Sequence, residues 1–260
     1  SVGGGITDDV YSLEIYKDKL YAGGILFLAK WENNLWNYSE MIARDVYSIG
    51  VFNGNLYFKG LQIMHFNTFF TIFIINDTNS SYYTTGSIDG SVYDYIVYNN
   101  NLFIGGSFYS IGSNQFNHVA KWNTSWSSIG NGLNGSVYAF AIYNNELFAG
   151  GSFTTSGTDT VNYIAKWDGT DWKAVGTGMN GTVRALTVYN GELYAGGDFT
   201  MAGGTTANHI AKWNDTTWAA VGSGTDTSVY CMAVYNDELY VGGAFIVAGG
   251  DTAKYIAKWK

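Results

Sequence analysis

The sequence predicts an all-β fold, a six-bladed β-propeller of four-stranded antiparallel blades. Three observations predict it: a tripeptide that recurs at a near-constant interval, a valine that recurs with it, and four strand-like segments within each interval. No segment shows the 3.6-residue periodicity of an amphipathic helix. Units of about 40 to 50 residues that repeat along a chain are typical of propellers and related repeat folds.

The tripeptide Ala-Lys-Trp occurs five times, at spacings of 91, 45, 46 and 46 residues. Its tryptophans are Trp31, Trp122, Trp167, Trp213 and Trp259. The first spacing is two periods long, and aligning residues 208–216 with 70–78 places Ile75 where a degenerate repeat lacks its tryptophan. The valine that opens one strand of each repeat is found at Val10, Val46, Val92, Val137, Val183 and Val229. Both markers therefore indicate six repeats.

The repeat that contains Trp218 shows the strand signals in order. Residues 183–189 are rich in β-branched and aromatic side chains, as strands are. The Asn-Gly pair at 190–191 predicts a type I′ hairpin turn, because both central residues of that turn need a positive φ. A partner strand over 193–195 ends at Gly-Gly, a polar loop follows, and two further strands are predicted over 209–213 and from Trp218.

The two ends of the chain predict how the ring closes. The last repeat stops at residues 259–260 and lacks its fourth strand. Residues 2–5, Val-Gly-Gly-Gly, match residues 175–178, Val-Gly-Thr-Gly, which belong to a fourth strand. We therefore expect the N-terminal segment to complete the last blade, so that residues 1–260 form a single domain without an open sheet edge.

Composition and charge exclude several classes of protein. With 47% hydrophobic and 17% aromatic residues, the chain is too apolar to remain disordered. A net charge of −8 disfavours nucleic acids and anionic membrane surfaces as partners. No apolar run reaches the roughly 20 residues that cross a bilayer, so we expect no membrane insertion. One cysteine, Cys231, excludes an intrachain disulfide and a cysteine-based zinc site.

The order of signals in each repeat resembles a Kelch-type propeller repeat: a hydrophobic strand, an Asn-Gly turn, Leu-Tyr-x-Gly-Gly, and two strands that each carry a tryptophan. The fuller pattern LYAGGDF…ANHIAKWNDTTW is similar to the propeller repeats of fungal cortical-marker (bud-site) surface proteins and of large secreted bacterial proteins. The resemblance covers essentially the whole chain and implies an extracellular or surface-exposed scaffold without enzymatic activity. Two repeats depart from it, since the first lacks most of the loop after Gly24 and the second has Lys59-Gly60 for Gly-Gly and no tryptophan.

Two sets of aromatic residues recur in register and are expected to form the structural core. One set is the five tryptophans given above, and the other lies two residues after each Gly-Gly pair. The second set is Phe108, Phe153, Phe199 and Phe245. A residue that every blade repeats is better explained by packing between blades than by a single binding site. The alternative for the tryptophans, that they are platforms for sugar rings, remains open at this point.

No residues predict catalysis, a metal site or a cofactor. The glutamates that follow the hairpin turns are interchangeable between repeats, whereas general acid–base catalysis needs carboxylates in unlike environments. His118 and His209 occupy a position where sister repeats carry tyrosine, which indicates a need for aromatic bulk rather than a metal ligand. The sequence contains no motif of a metalloprotease, serine hydrolase, nucleotide-binding protein or EF-hand.

The second repeat contains the candidate partner surface. Where sister repeats have a polar loop, it carries hydrophobic residues: Ile63, Met64, Phe66, Phe69 and Phe70. Exposed apolar patches of this kind mark binding surfaces. These residues either contact a partner protein or neighbouring subunit, or they fill the space left by the short loop of the first repeat. The function predicted is protein interaction, adhesion or surface assembly, with lectin-like glycan binding as the alternative and a hydrolase or lyase less favoured.

Overall fold

A computed structural model of the chain describes residues 10–16, 18–24, 27–38, 44–52, 55–64, 67–76 and 81–259. All regular structure in these ranges is β-strand. The described part of the chain therefore contains no helix that could cross a membrane.

The first two repeats each contribute four antiparallel strands that pair in chain order, and a short hairpin of the third repeat, within residues 110–115, extends the second sheet. The strands of the first are β1 (Val10–Tyr16), β2 (Lys19–Gly24), β3 (Phe27–Glu32) and β4 (Leu35–Tyr38). Those of the second are β5 (Arg44–Phe52), β6 (Asn55–Met64), β7 (Asn67–Asn76) and β8 (Ser81–Ile88).

The next four repeats share one plan: two strands form a hairpin, a short hairpin follows, and the remaining strands then return to the sheet. The third has β9 (Val92–Tyr98), β10 (Asn101–Gly106), β11 (Ser110–Ile111), β12 (Asn114–Gln115), β13 (Val119–Trp122) and β14 (Trp126–Ser127). The fourth has β15 (Val137–Tyr143), β16 (Glu146–Gly151), β17 (Thr155–Ser156), β18 (Asp159–Thr160), β19 (Ile164–Trp167) and β20 (Trp172–Ala174). The fifth has β21 (Val183–Tyr189), β22 (Glu192–Gly197), β23 (Met201–Ala202), β24 (Thr205–Thr206), β25 (Ile210–Trp213) and β26 (Trp218–Ala220). The last has β27 (Val229–Tyr235), β28 (Glu238–Gly243), β29 (Val247–Ala248), β30 (Asp251–Thr252) and β31 (Ile256–Trp259).

The predicted unit of four antiparallel strands is confirmed in the first five repeats, and the last described sheet has three strands, in the order β27-β28-β31. The predicted turn is confirmed as well, since Asn190 and Gly191 have φ values of 49° and 73°. The polar loops of the last four repeats were predicted without strands, but each contains a short hairpin of two two-residue strands. In the fifth repeat, Gly203 and Gly204 make that turn at φ values of 60° and 81°. Residues 2–5 lie outside the described ranges, and closure by the N-terminal segment stays a prediction.

The second repeat corrects one expectation. The hydrophobic stretch that was expected to replace a loop is not a loop, because β6 continues to Met64 and pairs with β7, with Ile63 opposite Thr68. Lys59-Gly60 stands where sister repeats end a strand with Gly-Gly, and the ladder runs on through it. The strands β6 and β7 therefore have ten residues each, whereas β22 has six and β25 has four.

Successive sheets are joined by a valine seated on a glycine. A Cβ built on Gly150 would lie 2.5 Å from Cγ1 of Val183 in the next sheet, and one on Gly196 would lie 2.5 Å from Cγ1 of Val229. Only glycine leaves room for this contact. The first strands also contact one another from sheet to sheet, β9 with β15, β15 with β21, and β21 with β27. This is the radial order of a propeller, with the first strand of each sheet innermost.

In each of the last four repeats, an Asp or Asn in the segment before the first strand ties that segment to the polar loop of the same repeat. Its Oδ1 atom accepts hydrogen bonds from two consecutive backbone N–H groups, at 2.7 to 3.0 Å. The four residues are Asp89, Asn134, Asn180 and Asp226. The hydrogen bonds from the N–H groups of Val247 and Ile246 hold the pKa of the Asp226 carboxyl below its usual value.

We expect Asp226→Asn to fold normally and to lose less stability in acid than the unaltered protein. The lowered folded-state pKa means that ionised Asp226 contributes stability above its ordinary pKa of 3.8, and this contribution is lost as the pH falls through the folded value. The amide of Asn180 accepts the same pair of bonds at any pH. Denaturant unfolding at pH 7 and pH 3 measures the difference, with the exposed Asp251→Asn as the control. Equal acid losses in all three proteins would contradict this account.

Candidate functional site

Four of the repeated tryptophans pack against a tryptophan of the following strand. The ring centroids are 5.2 Å apart for Trp31–Trp36, 5.1 Å for Trp122–Trp126, 5.5 Å for Trp167–Trp172 and 5.3 Å for Trp213–Trp218. Trp167 and Trp213 are buried, whereas Trp31, Trp122 and Trp259 are partly exposed. The faces of the two buried rings are therefore closed to a sugar.

The repeated phenylalanines lie beneath the loops. Phe108, Phe153, Phe199 and Phe245 are fully buried. Their carbonyls accept hydrogen bonds from the backbone N–H of the His or Tyr that precedes the third sheet strand, at 2.8 to 2.9 Å. One of these residues, His118, is itself buried, and desolvation lowers its pKa, so it is a neutral aromatic ring at neutral pH.

The candidate partner residues of the second repeat are brought onto one long hairpin. Ile63 and Met64 end β6, while Phe69 and Phe70 lie in β7 opposite Gln62 and Leu61. Phe66 lies outside the described residues. The backbone therefore places four of the five residues at the far end of the β6–β7 hairpin.

A row of side chains that sequence reasoning missed lies on the innermost strands. Each of β9, β15, β21 and β27 has a register shift after its first residue, opposite the Gly-Gly pair of its partner strand. Such a β-bulge leaves one residue outside the ladder and re-aims its side chain. The bulged residues are Tyr93, Tyr138, Arg184 and Tyr230. We call these four residues the tyrosine–arginine row.

The members of the row stack from one sheet to the next. The rings of Tyr93 and Tyr138 are 5.1 Å apart at an interplanar angle of 28°. The Arg184 guanidinium lies 5.7 Å from the Tyr138 ring centroid and 5.4 Å from that of Tyr230, within the range of a cation–π contact. Its Nε and Nη2 atoms each donate to Asp198 at 2.7 Å. Arg184 is thus held between two tyrosines by a bidentate ion pair.

The tyrosines of the row differ from the structural tyrosines in their hydroxyl groups. Tyr98 and Tyr189 donate to backbone carbonyls of the next repeat, at 2.9 and 3.2 Å. Within the described residues, the hydroxyls of Tyr93, Tyr138 and Tyr230 make no hydrogen bond. Tyr93 is 46% exposed and Tyr230 is 53% exposed. Tyr93 and Tyr230 therefore present aromatic surface and free hydroxyls to solvent.

The residue after Tyr93 in β9 is acidic, Asp94. Its oxygens accept hydrogen bonds from the backbone N–H groups of Tyr95 at 2.8 Å and Phe140 at 2.7 Å, which ties β9 to β15. Desolvation by burial raises the pKa of Asp94 to about 6, although both hydrogen bonds act to lower it. In the following three repeats the residue at this position is Ala139, Ala185 and Cys231. The carboxylate is therefore particular to the third repeat.

The repeated glutamates are engaged in ion pairs across neighbouring strands. Glu146 pairs with Lys166 at 2.9 Å, Glu192 with Lys212 at 2.8 Å and Glu238 with Lys258 at 2.9 Å. Pairs this exposed contribute about 0–1 kcal/mol each. Among the described residues no three His, Cys, Asp or Glu side chains are grouped so as to hold a metal ion.

Comparison with known proteins supports the predicted propeller. A family model described as the Rax2 C-terminal beta propeller domain matches residues 84–234, more than half of the chain. No curated protein matches the sequence. The extracellular domain of the BT4673 system of B. thetaiotaomicron is similar in fold, with a TM-score of 0.62 and 14% identity over 91% of this chain and 32% of that one. PorZ, a surface component of the type-IX secretion system of Porphyromonas gingivalis, matches with a TM-score of 0.59 and 14% identity over 90% of this chain and 37% of its own. The chain thus spans about a third of each of these structures, and identity this low shows the fold alone.

Proposed function

The chain belongs to the Rax2 C-terminal β-propeller domain family, and on that premise we propose that it is a non-enzymatic scaffold that binds a partner protein. The observation that carries the proposal is the β6–β7 hairpin, which is longer than its counterparts and carries hydrophobic residues where sister repeats carry polar ones. A location outside the cell or on its surface is part of the proposal. It is supported by the similar fold of an extracellular domain and of a bacterial surface component.

The contact is centred on the first and second repeats. The first repeat has 7 residues from the second glycine of Gly-Gly to its tryptophan, whereas repeats three to six have 16. The loop face is therefore shorter beside the β6–β7 hairpin than elsewhere. A hairpin with apolar residues at its end, next to a shortened loop, offers a partner an apolar surface with space in front of it.

Replacing Ile63, Met64 and Phe66 together with serine should abolish self-association or partner capture and leave the fold intact. Oligomeric state is measured by light scattering, folding by circular dichroism, and partner capture with the variant as bait. The control is Ile246→Ser, which removes an exposed apolar residue from another loop. Loss of folding would show that the residues fill the space beside the first repeat, and unchanged association in a folded variant would refute the proposed contact.

The proposal includes a ring of six blades, closed by the N-terminal segment. Gly242 is the repeat equivalent of Gly150 and Gly196, which each receive a valine from the next sheet. The atom nearest to a Cβ built on Gly242 is instead Sγ of Cys231, in its own sheet, and no valine of another repeat lies against it among the described residues. Val10 is the repeat valine that would complete the series.

A further inference from the structure

We propose that the tyrosine–arginine row binds a basic segment of a partner protein, with a lysine or arginine side chain seated against its tyrosine rings. The inference rests on the proposed binding role, but it assigns a second surface, separate from the β6–β7 hairpin. The row lies at the beginning of the innermost strands. Each bulge is opposite the Gly-Gly pair that ends the second strand and precedes a polar loop, so the row is on the same side of the sheets as these loops.

A contact between a cation and the tyrosines of the row already exists within the chain. Arg184 occupies a position where every other repeat carries tyrosine, and its guanidinium lies against the rings on both sides, at 5.7 and 5.4 Å. A cation within about 6 Å of a ring centroid is attracted by the negative face of the aromatic system. A guanidinium can therefore stack against a tyrosine ring of this row. Tyr93 and Tyr230 are both exposed.

Charge favours a cationic ligand over an anionic one. The chain has a net charge of −8. The charge of Arg184 is balanced by Asp198 through two hydrogen bonds of 2.7 Å, so the row is neutral in itself. An incoming ammonium or guanidinium group therefore meets aromatic side chains on a protein of net negative charge.

The hydroxyl groups fit the same ligand. Lysine and arginine side chains only donate hydrogen bonds, and a tyrosine hydroxyl can accept them. The three hydroxyls of the row are unengaged within the described residues, unlike those of Tyr98 and Tyr189. Tyrosine also recurs at this position where side chains are not described, at Tyr11 and Tyr47. The free hydroxyls and the bulge that places these tyrosines outside the ladder, rather than their recurrence, distinguish them from the packed aromatic residues.

The test uses a hexa-arginine peptide as the probe and a hexa-glutamate peptide as its counterpart, in titration calorimetry with the full chain. Replacing Tyr93, Tyr138 and Tyr230 together with serine should weaken hexa-arginine binding by about ten- to a hundredfold. This substitution leaves the net charge unchanged, so attraction by overall charge alone would give the same affinity as the unaltered protein and would overturn the proposal. The control is Tyr109→Thr, an exposed tyrosine replaced by the residue found in two sister repeats. Should the triple variant fail to fold, the exposed Tyr93→Ser and Tyr230→Ser variants are titrated singly.

Arg184→Tyr provides the opposite change. It restores the residue of the other repeats and releases Asp198 from its ion pair, so hexa-arginine binding should tighten. Tighter hexa-glutamate binding or abolished hexa-arginine binding would overturn the proposal. Binding of neutral oligosaccharides, lost in the triple tyrosine variant while hexa-arginine does not bind, would assign the row to a glycan and likewise overturn it. Variants of the β6–β7 hairpin should leave peptide binding unchanged, so failure of that site and failure of this one are distinguishable.

Discussion

Replacing Trp213 with alanine should lower the free energy of unfolding by about 3–5 kcal/mol, as truncation of large core aromatics does. Trp213 is 8% exposed and its ring packs against Trp218 at 5.3 Å. It also approaches the backbone of the preceding repeat, since a Cβ on Gly176 would lie 3.2 Å from the indole. Removing the indole leaves a cavity that two sheets border, and rigid strands cannot collapse into it. Equilibrium denaturation in urea measures the loss.

Met201→Ala serves as the comparison, because that side chain lies in the same repeat but is exposed. It should change the stability by less than about 0.5 kcal/mol. A glycan array completes the test, since a sugar platform and a core residue give opposite results. Stability unchanged in Trp213→Ala together with lost glycan binding would show that the ring is a ligand platform.

Much of the architecture could be predicted because the same sequence signals recur in successive repeats. The Asn190-Gly191 pair predicts a turn because both residue types tolerate a positive φ. The spacing of Ala-Lys-Trp predicts one sheet per repeat. Contacts between repeats were harder to predict. The sequence indicates only that Gly150 ends a strand. In the structure, Val183 of the next sheet packs directly against it. That pairing depends on how sheets are placed relative to one another, which no local pattern encodes.

The candidate site shows the same limit. Tyrosine follows the repeat valine in all but one repeat, and that signal was available in the sequence. Its meaning depends on the bulge, because strict alternation would make the residue after Val183 an ordinary strand position. The second signal was a paired departure: Arg184 replaces tyrosine in the same repeat in which Asp198 replaces the serine or alanine of its neighbours. Two departures in one repeat indicate a contact, as the bidentate ion pair shows.

Deleting residues 1–6 should lower the melting temperature by several degrees and increase aggregation. If this segment supplies the fourth strand of the last sheet, its loss removes several hydrogen bonds worth about 1 kcal/mol each and uncovers the outer edge of β31. Each kcal/mol corresponds to a shift of about 2–4 °C for a domain of this size. Differential scanning calorimetry and light scattering measure the two effects. An unchanged melting temperature would mean that the ring closes in another way or stays open.

A matched pair of point variants separates closure from a local effect of the deletion. Val229 is fully buried, with its methyl group against Gly196 of the preceding sheet, so Val229→Ser should cost about 1–3 kcal/mol through lost apolar burial and a buried hydroxyl. Val10 holds the same place in its own repeat. In a closed ring its methyl group takes the equivalent seat on Gly242, and Val10→Ser should cost as much as Val229→Ser. In an open arrangement that seat stays empty, and Val10→Ser should be nearly neutral while Val229→Ser remains costly. The ratio of the two losses therefore reports closure directly, because both variants make the same chemical change at repeat-equivalent positions.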